Sequence, residues 1–163
     1  MNKTTLIKEN ESIKTEKLAN CHDGVGILDF KCLIENEQLP KNSLLKYIHD
    51  DILPPNSSIG NHIHNNCEEY YYIISGTGIM ILDGQKHKVK PGDFTGVFPG
   101  GSHGLINNSS DNLRVIVIGI ILRFSLAAIH HLSGDACWHF SVARFIGENY
   151  EIPLFEDLGR DSV

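Results

Sequence analysis

Residues Gly78–Gly104 read GIMILDGQKHKVKPGDFTGVFPGGSHG, and this stretch decides the fold class. Asp83-Gly84 separates two runs rich in residues that suit strands. An Asp-Gly pair fits a two-residue hairpin turn, in which both central residues take positive φ. Pro91-Gly92-Asp93 marks a second turn, Phe94–Phe98 a short strand, and Pro99–Gly104 a third turn. Short strands punctuated at this spacing predict an all-β sandwich or barrel.

The pattern continues on both sides. Downstream, Asn107–Asn112 (NNSSDN) reads as a loop before Leu113–Leu122 (LRVIVIGIIL), which has the composition of a core strand. That run contains Arg114 and is far too short to span a bilayer. Upstream, Leu53–Gly60 reads as a turn cluster, with strands expected over Gly24–Ile34 and Asn42–Asp50. The polar residues 1–22 are expected to form a loosely docked N-terminal arm, 23–122 the barrel, and 123–163 a C-terminal extension packing on the barrel or a dimer interface.

The bulk figures set limits. A chain of 163 residues is expected to be one domain with a core that needs no disulfides. Its net charge is −6 and it shows no basic run, so neither nucleic acid nor an anionic membrane is expected as a partner. The four cysteines, Cys21, Cys32, Cys67 and Cys137, show no CxxC spacing. The first twenty residues hold no apolar core of the secretory kind, so free thiols in a cytoplasmic protein are expected.

The chemistry concentrates in His62–Gly78, HIHNNCEEYYYIISGTG. If Asn61–Ile63 and Glu69–Ile73 are extended, His62 and His64 share one face, as do Glu69, Tyr71 and Ile73. Two imidazoles and a carboxylate on inward faces are a plausible ligand set for a divalent metal, and His103 is the candidate for a fourth position. A lone HxH is common on surface loops. What raises it here is its company.

That company resembles the cupin superfamily, in particular its small single-domain bacterial members. The family's first motif, G(X)5HXH(X)3,4E(X)6G, is matched by Asn56, His62-Ile63-His64, Glu69 and Gly76. The second, G(X)5PXG(X)2H(X)3N, is matched by Gly92, Phe98-Pro99-Gly100, His103 and Asn107. Fifteen residues separate Gly76 from Gly92, a short spacing typical of microbial cupins, and the likeness covers about residues 40–122. Two positions depart from the pattern. Asn56 replaces the opening glycine, and Asn tolerates the left-handed backbone glycine supplies. Phe98 replaces a proline, with Pro99 one place later, which is expected to shift the loop carrying His103.

The resemblance implies a double-stranded β-helix, or jelly-roll barrel, with a metal in its wider mouth. His62, His64, Glu69 and His103 would be the ligands of Fe, Mn, Ni, Co or Zn, leaving two positions open. Spacing to Gly76 favours Glu69 over Glu68, which should face the other way. The resemblance further implies a homodimer and a small-molecule substrate or ligand. An enzyme of oxygenase or isomerase/lyase type leads, with a non-catalytic binding or sensing module as the alternative. Tyr71, His87 and His49 are the candidates for acid/base work. Cys67 reads as a loop cysteine, Trp138 and His139 as residues capping the mouth or packing outside it, and His130-His131 as having no spacing that demands a role.

Overall fold

A computed structural model describes residues 5–121. The expectations placed on the extension 123–163, including those for His130, His131, Cys137, Trp138 and His139, lie outside the described residues.

Eleven strands run through the described chain: β1 (Glu16–Ala19), β2 (Ile27–Phe30), β3 (Cys32–Glu35), β4 (Leu45–Leu53), β5 (Ser58–Ile63), β6 (Cys67–Ser75), β7 (Gly78–Leu82), β8 (Gln85–Val89), β9 (Phe94–Val97), β10 (Ser102–Ile106) and β11 (Leu113–Ile121). The only helical elements among these residues are three single 3-10 turns. The all-β expectation holds.

The strands form two antiparallel sheets. The larger runs β1-β2-β4-β11-β6-β9, with β3 also paired to β4. The smaller runs β5-β10-β7-β8. Their inner faces share one apolar core, in which Leu53, Ile73, Leu113 and Val115 of the large sheet and Met80 and Leu105 of the small one are fully buried. Burying each such side chain contributes about 1.5–3 kcal/mol.

The hairpin forms as expected. Asp83 and Gly84 take φ of 46° and 79°, and Leu82 pairs with Gln85 across them. Asn56 takes φ 61°, so asparagine supplies the left-handed turn that opens the first motif.

Three boundaries differ from expectation. The strand expected over Gly24–Ile34 is broken at Lys31 into β2 and β3. The Lys31 carbonyl accepts from the Asp50 amide at that break, and both pieces then pair along β4. Residues Ser58–Gly60 belong to β5 rather than to a turn. The expected arm is in part sheet: β1 pairs with β2 over four residues, and Leu18 packs against the core. Its high charge concealed this, since at a sheet edge only one side chain in the strand needs burial.

Candidate metal centre

The four motif residues converge from both sheets. His62 stands in β5 and His103 directly opposite it in β10, while His64 follows β5 and Glu69 stands in β6. A bulge makes this possible. His103 pairs with His62, but Leu105 pairs with Ile59, so β5 carries one residue more than β10. In an unbroken strand Ile59 and His62 would face opposite sides, because their separation is odd. The bulge turns both inward, a device common beside active sites.

The turn carrying His103 is tied to the first motif. The His64 amide donates to the Gly101 carbonyl at 3.0 Å, and the Gly100 amide to the His64 carbonyl at 2.7 Å. This two-way pairing fixes the loop despite Phe98 in the proline position. Phe98 itself is exposed and lies edge-on to Tyr70.

The Nε2 of His64 lies 3.0 Å from that of His62 and 3.1 Å from that of His103. Glu69 Oε2 is 2.8 Å from His103 Nε2 and 3.6 Å from His64 Nε2. All four donor atoms fall within 4.8 Å of one another. His64, Glu69 and His103 are buried, and His62 is half-buried.

The far sides of the rings orient them. His62 Nδ1 meets the Gly60 carbonyl at 2.9 Å, which makes Nδ1 the donor and leaves Nε2 a bare lone pair. His64 Nδ1 lies 3.2 Å from Cys67 Sγ, so the supposed loop cysteine, at the start of β6, backs a ring of the cluster. Burial lowers the pKa of both, His62 to about 4, so these imidazoles are neutral near pH 7. Burial alone would raise the Glu69 carboxyl. The close His103 ring and a hydrogen bond from the Tyr47 phenol outweigh burial and bring it down to about 2.

The His62 lone pair and the Glu69 carboxylate therefore face one cluster. Glu69 Oε2 and His103 Nδ1 are buried without a hydrogen-bond partner. Such a cluster is costly unless a cation fills it. Two donors about 2.1 Å from one ion at right angles stand about 3 Å apart, close to the spacings found here. The residues fit a divalent metal.

The neighbouring candidates divide. Tyr71 is 3% exposed and lies edge-on to His103, with ring centroids 4.8 Å apart. His49 lies on the inner face of β4, stacked on Tyr47 at 4.4 Å, and burial lowers its pKa to about 4. His87 pairs with Met80 but is exposed on edge strand β8 and has no interaction with the four donors. Glu68 faces away from Glu69 and accepts from the Tyr70 phenol.

Three residues near the cluster were not singled out from sequence. Tyr47 donates to Glu69 Oε1. Asp51 is buried on the same face of β4, with Oδ1 unpartnered. His22 stacks on His62. For the first two a signal existed: Tyr47, His49 and Asp51 share one parity, an ionisable stripe on an inward face.

Comparison with known proteins agrees with this fold. The family described as the cupin domain matches residues 51–119. A curated relative, the oxalate-binding protein of Thermotoga maritima, is 29% identical over 119 residues, covering 73% of this chain and 97% of that protein. A crystal structure described as a predicted oxalate decarboxylase from Thermotoga maritima superposes with a TM-score of 0.67 at 27% identity, covering 72% of this chain and all of that one. The polyketide cyclase RemF of Streptomyces resistomycificus shares the fold, with a TM-score of 0.59 at 18% identity over 72% of this chain and 80% of its own. No helix among the described residues is long and apolar enough to cross a membrane.

Proposed function

We propose that this chain, whose residues 51–119 form a cupin domain, binds a divalent transition metal through His62, His64, Glu69 and His103 and there takes up a small organic acid. The observation that carries this reading is the convergence of three imidazole nitrogens and a carboxylate oxygen, with the His62 nitrogen left a lone pair by the Gly60 carbonyl behind its ring. A carboxylate ligand is favoured because a Thermotoga maritima relative is named an oxalate-binding protein and a solved Thermotoga maritima structure is described as a predicted oxalate decarboxylase.

A divalent ion held there would supply Lewis acidity toward a carboxylate or carbonyl oxygen, and Fe, Mn or Ni would add redox capacity. The protein's own residues set the conditions. Tyr47 holds the Glu69 carboxylate in place, Tyr71 walls the site beside His103, and His49 is a neutral base on the same face. Among the three acid/base candidates, Tyr71 and His49 are the better placed and exposed His87 the worst. Lyase chemistry, the loss of CO2 from a small dicarboxylate, leads over oxygenase and isomerase chemistry on the strength of that structure's description. Binding without turnover is the second reading, supported by the name oxalate-binding protein.

The test begins with metal analysis of the full chain, purified without chelator or nickel affinity, beside His62→Ala and His103→Ala. Stoichiometric metal in the wild type, lost in both variants, is expected. Calorimetry with oxalate and formate release then follow. Metal-dependent binding with formate supports the enzyme, and binding alone supports the sensor. No metal after reconstitution overturns the reading.

A further inference from the structure

His62 differs from its three companions. They are buried, whereas the barrel leaves His62 half-exposed. Its ring is covered instead by His22, with centroids 3.6 Å apart and planes 8° from parallel. His22 lies outside both motifs, in a single 3-10 turn over Cys21–Asp23.

The turn is built for this placement. Asn20, His22 and Asp23 take φ of 51°, 50° and 60°, three non-glycine residues in the left-handed region within four positions. Asn, His and Asp are the types that best tolerate it. The turn is also locked to β5. A Cβ at Gly60 would lie 1.9 Å from the His22 carbonyl oxygen, and one at Gly24 would lie 2.2 Å from that of Ser58. Val25 and Ser58 exchange two hydrogen bonds beside them, from the Val25 amide to Ser58 Oγ and from the Ser58 amide to the Val25 carbonyl, both at 2.8 Å. Strained backbone held in place by its surroundings is typical of functional sites.

We infer that His22 is a positioning residue of the metal centre: its ring, held by the Asn20–Gly24 turn, fixes the plane of the His62 ring and so the direction of the Nε2 lone pair. His62 is then held at two places, by the Gly60 carbonyl at Nδ1 and by His22 across its face. Groups that orient a metal ligand commonly change metal affinity about 10- to 100-fold when removed. This inference rests on the metal reading proposed above.

Two substitutions separate ring from backbone. His22→Asn keeps a residue that accepts the left-handed turn but removes the ring. His22→Phe keeps a ring face and loses both nitrogens. The probe is Co(II), titrated into metal-free full-length protein and followed by its visible absorption, with melting curves alongside. The expected result is affinity about tenfold weaker in His22→Asn, with an altered spectrum, and within about threefold of wild type in His22→Phe. In the metal-free protein, the His62 ring protons should lose an upfield ring-current shift in His22→Asn and keep it in His22→Phe.

Equal Co(II) affinity and equal His62 shifts in wild type and His22→Asn overturn the inference while leaving the metal reading intact. Equal losses in both variants also overturn it, because a ring nitrogen would then be the active part. A wild type that takes up no Co(II) overturns the metal reading and this role together.

Discussion

The phenol of Tyr47, on β4, donates a hydrogen bond to Oε1 of Glu69, on β6, across the strand that separates them. It leaves Oε2 as the oxygen that faces the imidazoles. Tyr47→Phe should therefore weaken metal binding about 10- to 100-fold with little change in fold. Metal titration of the two proteins checks this, and equal affinities would remove Tyr47 from the site.

Gly119 makes that bond possible. It pairs with Tyr47 on one side and Glu69 on the other, and a Cβ there would come within 2.4 Å of the Tyr47 ring. Gly119→Ala should displace the phenol and reproduce the metal-binding loss of Tyr47→Phe. The double variant should be no worse than either single one, because one interaction cannot be lost twice. Additive losses would contradict this.

The two adjacent glutamates should separate cleanly. Glu69→Gln is expected to abolish stoichiometric metal binding. Glu68→Gln, which alters only a partner of Tyr70, should retain it. Metal analysis after gel filtration decides, and loss in both would reassign the carboxylate.

Asp51 predicts a pH dependence of stability. Burial, with smaller contributions from Glu69 and Asp50, raises its pKa to about 7 against the opposing pull of the Lys31 amide. The folded state thus prefers the protonated acid. Its stabilising contribution is complete below about pH 4 and is lost as pH rises to 7, by about 4 kcal/mol for three units. Urea unfolding of wild type should show this decline between pH 4.5 and 8, and Asp51→Asn should flatten it. Parallel profiles would show that Asp51 titrates normally.

Asn107 closes the second motif for structural reasons. It is wholly buried, donates through Nδ2 to the carbonyls of Leu53 and Asp111, and accepts through Oδ1 from the amide and hydroxyl of Ser109. Asn107→Ala strands these groups and should cost roughly 2–4 kcal/mol. Thermal unfolding measures it, and an unchanged Tm would mean that solvent replaces the network.

Local chemistry disclosed the elements whose signals are local. The Asp83-Gly84 hairpin needed only two residues in positive φ, and the Leu113 strand only its composition. The pairing of His62, His64 and Glu69 followed from alternation and motif spacing. The β5 bulge did not, because its cause is the register between β5 and β10, visible in sequence only as the isolated glycines Gly60 and Gly104. The parity of Tyr47 was legible, but its partner was not. Its bond to Glu69 depends on β11 lying between β4 and β6, and on Gly119 being the residue at the crossing. Asn20–Gly24 carried turn residues in plain view, but nothing local says that they fold over a histidine forty positions away.

The four donors are shared unequally between the sheets: the carboxylate belongs to the large one and the histidines to the small sheet and the loop leaving it. An ion gripping all four would act as a rivet between layers otherwise held by side-chain packing and a few hydrogen bonds, such as that from Asn107 to the Leu53 carbonyl. Neither layer could then peel away without releasing it, so loading should slow unfolding more than it quickens folding wherever the rivet closes last. Proteolytic survival of loaded and stripped protein would then differ far more than their secondary structure does.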